Sequence, residues 1–198
     1  MPPMNKTLIP IVGAVVTAFV VNFFFAFTAA ISHESNDVGM IVGLSAGLIV
    51  GIVLFNLSGN RKVSAADPAA RTRALSFAAE PGKAALYLVR TGFVGKAAGM
   101  NMNVDGREVA QLKSPNFTCI ALTPGNHTLI VSFGGGLAGQ TKPAEMAFSA
   151  AGGEVIVLHI TMGLGALKNP IAIARADVNT MRGQISGMKM AKPDIDAI

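Results

Sequence analysis

Three histidines, one cysteine and a thin scatter of carboxylates are what this chain offers for catalysis or metal binding. His33, His127 and His159 are never at the short spacing that would put two ligands on one helix face, and no cysteine pair supports them. Cys119, the sole cysteine, excludes an intrachain disulfide and a cysteine-rich metal site. It sits in the apolar run Phe117–Leu122, without the cationic neighbour that activates a thiol. Asp105 and Glu108 flank a hairpin turn, and turn geometry and solubility account for both. No other acidic pair gives the matched carboxylates of glycoside hydrolysis. The stretch Gly134–Lys142 has the glycines of a phosphate loop but lacks its Gly-Lys-Ser/Thr ending and its βαβ setting, so it reads as a hairpin loop. Serines are present without a nucleophile-elbow pattern. No catalytic residue, cofactor or metal is expected.

The charge distribution points elsewhere. Only 14% of the 198 residues are Asp, Glu, Lys or Arg, against about 25% in a soluble domain. Mean hydropathy is +0.51. The deficit is local: nothing charged lies between Lys6 and Glu34 or between Asp37 and Arg61. Residues 59–198 hold all but one of the 16 basic and all but two of the 11 acidic residues, enough for one small, mildly basic domain. The net charge of +5 is scattered, with no aromatic-and-basic groove, so no nucleic-acid partner is expected.

The elements that must position everything else begin with two apolar runs, 8–31 and 38–57. At about 1.5 Å per residue each is long enough to cross a hydrocarbon core of about 30 Å. The first is too long for a signal-peptide core, although Thr28-Ala29-Ala30 has the small residues of a cleavage site. Lys6 precedes the first run, and Arg61, Lys62, Arg71 and Arg73 follow the second, while the connecting turn carries only Glu34 and Asp37. The charge bias predicts a transmembrane hairpin over residues 1–58 with both ends cytoplasmic. The second run carries Gly39, Gly43, Gly47 and Gly51, which stack along one helix face and let another backbone come close. That backbone is the first span, another copy of the chain, or a different membrane protein. Asn22, inside the first span, needs a hydrogen-bond partner in hydrocarbon.

Residues 59–83 read as a juxtamembrane linker that includes a short helix capped by Asp67 with Pro68 at its first position. From Ala84 the period becomes that of strands. Short apolar alternations recur to Ala176, punctuated by Asp105-Gly106, Thr123-Pro124-Gly125-Asn126 and Gly152-Gly153. Seven or eight such strands predict a small antiparallel β-sandwich over 84–176. Val178, Met181, Ile185 and Met188 predict a short amphipathic helix capped by Asp177 within the C-terminal segment 177–198, with a frayed tail from Lys189.

The stretch from Ala85 through Arg90 to Gly95, the hairpin Val104–Leu112 and the turn Leu122–Leu129 together resemble the DUF2846 family. That family comprises small bacterial β-sandwich domains of unknown function, related to carboxypeptidase-regulatory-like and PEGA-like modules. The resemblance covers about residues 84–176 and implies no catalytic residue. It implies an extracytoplasmic domain, often on a lipoprotein, whereas this chain's own flanks place the domain in the cytoplasm. There the sequons at Asn56, Asn116 and Asn126 are chance matches.

The expectation is a multi-pass bacterial inner-membrane protein that is non-enzymatic and acts by interaction. Its partners are membrane lipids and either a second copy or a larger membrane complex. The alternative is an envelope-associated sensory or ligand-binding module recognising lipid, glycan or an envelope component, with a concave polar site among loops 92–99 and 134–142.

Overall fold

The computed structural model describes residues 8–32, 37–135, 138, 141–163 and 171–198, with 8, 9, 30–32 and 37–39 described by backbone alone. His33 and Glu34 lie outside the described residues. The chain divides into two compact units, Met1–Gly59 and Asn60–Ile198.

The first unit contains α1 (Leu8–Ser32) and α2 (Asp37–Asn56), packed against each other. Within α1, Pro10–Ala29 has a mean hydropathy of 2.2 and is long and apolar enough to cross a membrane; the described apolar part of α2, Met40–Asn56, is shorter. Large apolar side chains point outward on both helices, among them Phe19, Phe23, Leu44 and Leu48, each at least 63% exposed.

In the second unit, α3 (Pro68–Leu75) starts where the Asp67 carboxylate accepts from the Ala70 N–H. Nine strands follow among the described residues: β1 (Ala84–Arg90), β2 (Met100–Val104), β3 (Arg107–Leu112), β4 (Asn116–Leu122), β5 (Gly125–Phe133), β6 (Ala144–Ala150), β7 (Val155–Met162), β8 (Ile171–Ala176) and β9 (Lys189–Met190). Between β8 and β9 lies α4 (Val178–Gly187), capped by Asp177. The strands form a five-stranded sheet, β8-β7-β1-β4-β9, and a four-stranded sheet, β3-β2-β5-β6. The domain is therefore β-rich and mostly antiparallel, as the alternation predicts. It departs from a purely antiparallel sandwich at β1·β7 and β4·β9, which are parallel.

Strand β1 is buried along its whole length because both its faces are covered. Tyr87 and Val89 face a helical layer with Phe77, Met181 and Ile185 in one apolar cluster. Leu86 and Leu88, on the opposite face, are fully buried, as are Met102, Leu129 and Val131 of the second sheet. The Arg90 guanidinium at the end of β1 lies over the Phe133 ring of the second sheet, 5.6 Å from its centroid.

Two segments differ from expectation. The stretch read as a linker contributes Ala74 and Phe77 to the core, and the unit begins at Asn60. The tail is not frayed. Met190 and Ala191 are buried; the Ala191 N–H donates to the Phe117 carbonyl, the Ala121 N–H to the Asp196 carbonyl and the Ile198 N–H to the Ala121 carbonyl. The open edge of β4 supplies the backbone partners that a ten-residue tail without periodicity does not advertise.

Candidate functional site

The glycine face is occupied within the chain. A Cβ placed on Gly43 would lie 3.0 Å from the Ala18 carbonyl and 3.2 Å from the Asn22 Cβ. One on Gly51 would lie 2.8 Å from the Ala14 Cβ, and Gly47 is as close to Ala14 and Ala18. Three glycines of α2 thus meet a row of small residues on α1. Gly39 is helical, but its surroundings fall outside the description. From α1, Gly13 meets the end of Leu54 in the same way.

The two described histidines are in the domain and do not meet. His127, third in β5, is buried, its ring 5.6 Å from that of Phe148. Its Nδ1 is 2.6 Å from Asp105 Oδ2 and its Nε2 is 2.8 Å from the Thr123 carbonyl oxygen. Both neighbours are acceptors, so the doubly protonated ring satisfies both. Burial opposes that charge, but the Asp105 hydrogen bond, the Thr123 carbonyl and the Asp105 charge outweigh it and raise the His127 pKa. Asp105 is likewise desolvated, yet its pKa is lowered by His127 and by the Thr128 N–H, which donates to Oδ1 at 2.8 Å. Asp105 holds a left-handed φ of 50° and Gly106 one of 78°, the geometry that the Asp-Gly turn predicts. Sequence alone assigns Asp105 only to the turn; the strand register that sets it beside His127 is not visible there.

His159 Nε2 is 2.6 Å from Thr91 Oγ1, and burial lowers the His159 pKa. The pair has a nucleophile beside a base. Among the described residues no hydrogen bond to a carboxylate orients His159, so it lacks the third member of a triad. Its evident effect is to hold Thr91 at the root of the loop after β1. Glu108 is half-bound by Arg61, whose Nη2 is 2.9 Å from Oε1.

A concavity of about 560 Å³ lies not among loops 92–99 and 134–142 but between α3 and the C-terminal tail, lined by Arg73, Glu80, Tyr87, Cys119, Lys192 and Asp196 among others. Its floor is chemically quiet. The Tyr87 hydroxyl donates to the Ala74 carbonyl at 2.5 Å, and burial raises its pKa. Burial also pushes the Cys119 thiol up to about 11, despite a hydrogen bond with Tyr87. Both groups stay protonated at neutral pH, and neither described histidine lines the groove. The groove sets the carboxylates of Glu80 and Asp196 beside the cations of Arg73 and Lys192, a lining suited to binding a polar group. Part of the glycine-rich loop, residues 136, 137, 139 and 140, lies outside the described residues. Among the described residues no group of three or more His, Cys, Asp and Glu side chains is placed to hold a metal ion.

Neither a protein-family model nor a curated protein matches this chain.

Proposed function

We propose that the chain is a membrane-anchored, non-enzymatic interaction or accessory protein. Residues 1–58 form a two-span hairpin in the bacterial inner membrane with both ends cytoplasmic, and a β-sandwich of the DUF2846 kind makes protein contacts outside the bilayer. One observation carries the reading: the helix pair is apolar outside and small inside. Phe19 at 70% and Leu48 at 65% exposure face outward while Gly43, Gly47 and Gly51 are covered. Water penalises that arrangement, at about 25 cal/mol per Å² of exposed apolar surface, and a bilayer does not. Because α1 already covers the glycines, contact with a second copy or a larger complex falls to the outer helix faces and the domain. The groove beside α3 favours the second reading, a ligand-binding module.

Affinity purification of the protein in mild detergent, with identification of co-purifying subunits, tests the interaction role. A lone chain without partner or second copy counts against it. Orientation is tested with Ser35→Cys and Asn126→Cys in a Cys119→Ala background. Labelling from outside the cell at 35 but not 126 supports cytoplasmic ends, and the converse places the domain in the periplasm.

A further inference from the structure

We propose that the end of the domain at which its chain enters is a lipid-docking surface, with Phe93 seated in the interface of an anionic bilayer. The proposal rests on the membrane-anchored reading above.

The loop between β1 and β2, residues 91–99, is pinned from several sides. The Arg90 guanidinium is 1% exposed and donates from Nη1 to the Ala98 carbonyl and, at 2.6 Å, to that of Leu112, and from Nη2 at 2.7 Å to that of Gly95. The Ser114 hydroxyl donates to the Gly92 carbonyl at 2.7 Å. Asn60 donates to the Ala97 carbonyl at 2.9 Å and accepts from the Gly99 N–H at 2.6 Å. Burying a guanidinium among carbonyls is costly. What it secures here is a fixed loop.

That fixed loop displays an apolar side chain. Phe93 is 87% exposed, and among the described residues of the domain it is the one large apolar side chain that is exposed rather than half-buried or buried.

The surrounding charge is of one sign. Strand register places the start of β2 opposite the ends of β3 and β5, and the end of β1 opposite the start of β4. Loops 91–99 and 113–115 therefore leave the same end of the domain, at which β5 ends with Phe133 and β6 begins with Ala144. These loops and residues 141–143, just before β6, carry Lys96, Lys113 and Lys142 and no Asp or Glu. Glu145 is second in β6, and the carboxylates of Asp194 and Glu108 are each bonded to Arg61. The turns at the opposite end hold Asp105, Glu154 and Asp177.

Chain length selects lipid as the occupant. Asn60, bonded directly to the loop, follows Asn56, the last residue of α2, after only three intervening residues. At about 3.6 Å per residue that is a reach of about 14 Å. A second span that ends at the headgroups therefore tethers Asn60 within that covalent reach of them. Aromatic side chains favour that zone, and each nearby lysine adds about 1 kcal/mol at an anionic surface. One exposed phenylalanine at an end of the domain with three lysines falls far short of the roughly 1,000 Å² that a stable protein interface buries.

The chain contains no tryptophan, so Phe93→Trp gives a single reporter. The full-length variant is reconstituted in phosphatidylcholine vesicles with and without phosphatidylglycerol, some carrying brominated acyl chains. Indole emission from Phe93→Trp should be blue-shifted and quenched several-fold more by brominated lipid than that of an Asn126→Trp control. Adding Lys96→Glu and Lys142→Glu should reduce the quenching in phosphatidylglycerol. Solvent-like, unquenched emission from Phe93→Trp protein that floats with the vesicles overturns the docking while leaving anchorage intact. A blue shift that grows with protein-to-lipid ratio but is insensitive to bromine assigns the surface to a second copy and also overturns it. Failure to float overturns anchorage and docking together.

Discussion

Gly47 of α2 approaches Ala18 of α1 so closely that a Cβ on Gly47 would lie 2.7 Å from the Ala18 Cβ, and equally close to the Ala14 carbonyl oxygen. Backbone cannot swing aside as a flexible side chain can, so a larger residue must part the helices. Overpacking of this kind costs about 1–3 kcal/mol. In a Cys119→Ala background, cysteines introduced by Ala14→Cys and Gly51→Cys should oxidise readily to an intramolecular disulfide. Adding Gly47→Leu should slow that oxidation by about tenfold, the equivalent of about 1.4 kcal/mol. Disulfide-linked dimers in place of a cross-linked monomer would assign the glycine face to a second copy.

The four-residue glycine repeat marks a face open to close backbone approach but does not name its occupant, which the sequence leaves among the first span, a second copy and another protein. Asp67-Pro68 and Asp105-Gly106 are legible in full, because there local backbone chemistry decides the outcome. Alternation assigned strands and their inward residues but not neighbours, so nothing in it foretold β1 lying parallel to β7. Arg90 reads as a polar strand end; in the fold it is buried and bonded to two carbonyls of the 91–99 loop and one at the end of β3. His127 and Asp105 come together only through the pairing of β2 with β5, where Val104 faces Leu129. Contacts made by register between distant segments leave no mark on either segment.

The His127–Asp105 pair should impose a pH window on stability. The folded pKa of His127 is raised, so its contribution is complete below the ordinary histidine value and is lost as pH rises through the raised value. The folded pKa of Asp105 is lowered, so its contribution is present above the ordinary carboxylate value and is lost as pH falls through the lowered one. Stabilisation is therefore greatest between about pH 4 and about pH 6.5. Asp105→Asn retains a residue that tolerates left-handed φ and removes the charge. It should cost about 1 kcal/mol near pH 5 and less above neutrality, read from thermal unfolding across pH. A deficit that does not change with pH would sink the account.

Cys119 should be a sluggish thiol. A pKa pushed to about 11 leaves roughly a hundredfold less thiolate than an ordinary cysteine at the same pH. Reaction with an aromatic disulfide reagent at pH 8 should be slower in the folded protein by about that factor than after unfolding in urea. Comparable rates would mean that the groove floor opens freely to solvent.

The tail should be part of the folding unit rather than an appendage. Met190 is buried beside Tyr87, Phe117 and Ile185, and its carbonyl accepts from the Ala66 N–H at 2.9 Å. Lys192 and Asp194 continue the attachment, donating from their backbones to Ser64 and Val109. Removing the Met190 side chain leaves a cavity between helices and sheet without disturbing any of these backbone bonds. Met190→Ala should therefore cost about 2–5 kcal/mol. Lys189→Ala, one residue earlier and exposed, should stay within about 0.5 kcal/mol. Denaturant unfolding of the two full-length variants, followed by hydrogen exchange at the Phe117 and Ala121 amides, separates the outcomes. Equal stability of the two variants would show that the tail rests on β4 without supporting it. A loss confined to Met190→Ala, with faster exchange at both amides, makes β9 and its flanks a working edge of the five-stranded sheet.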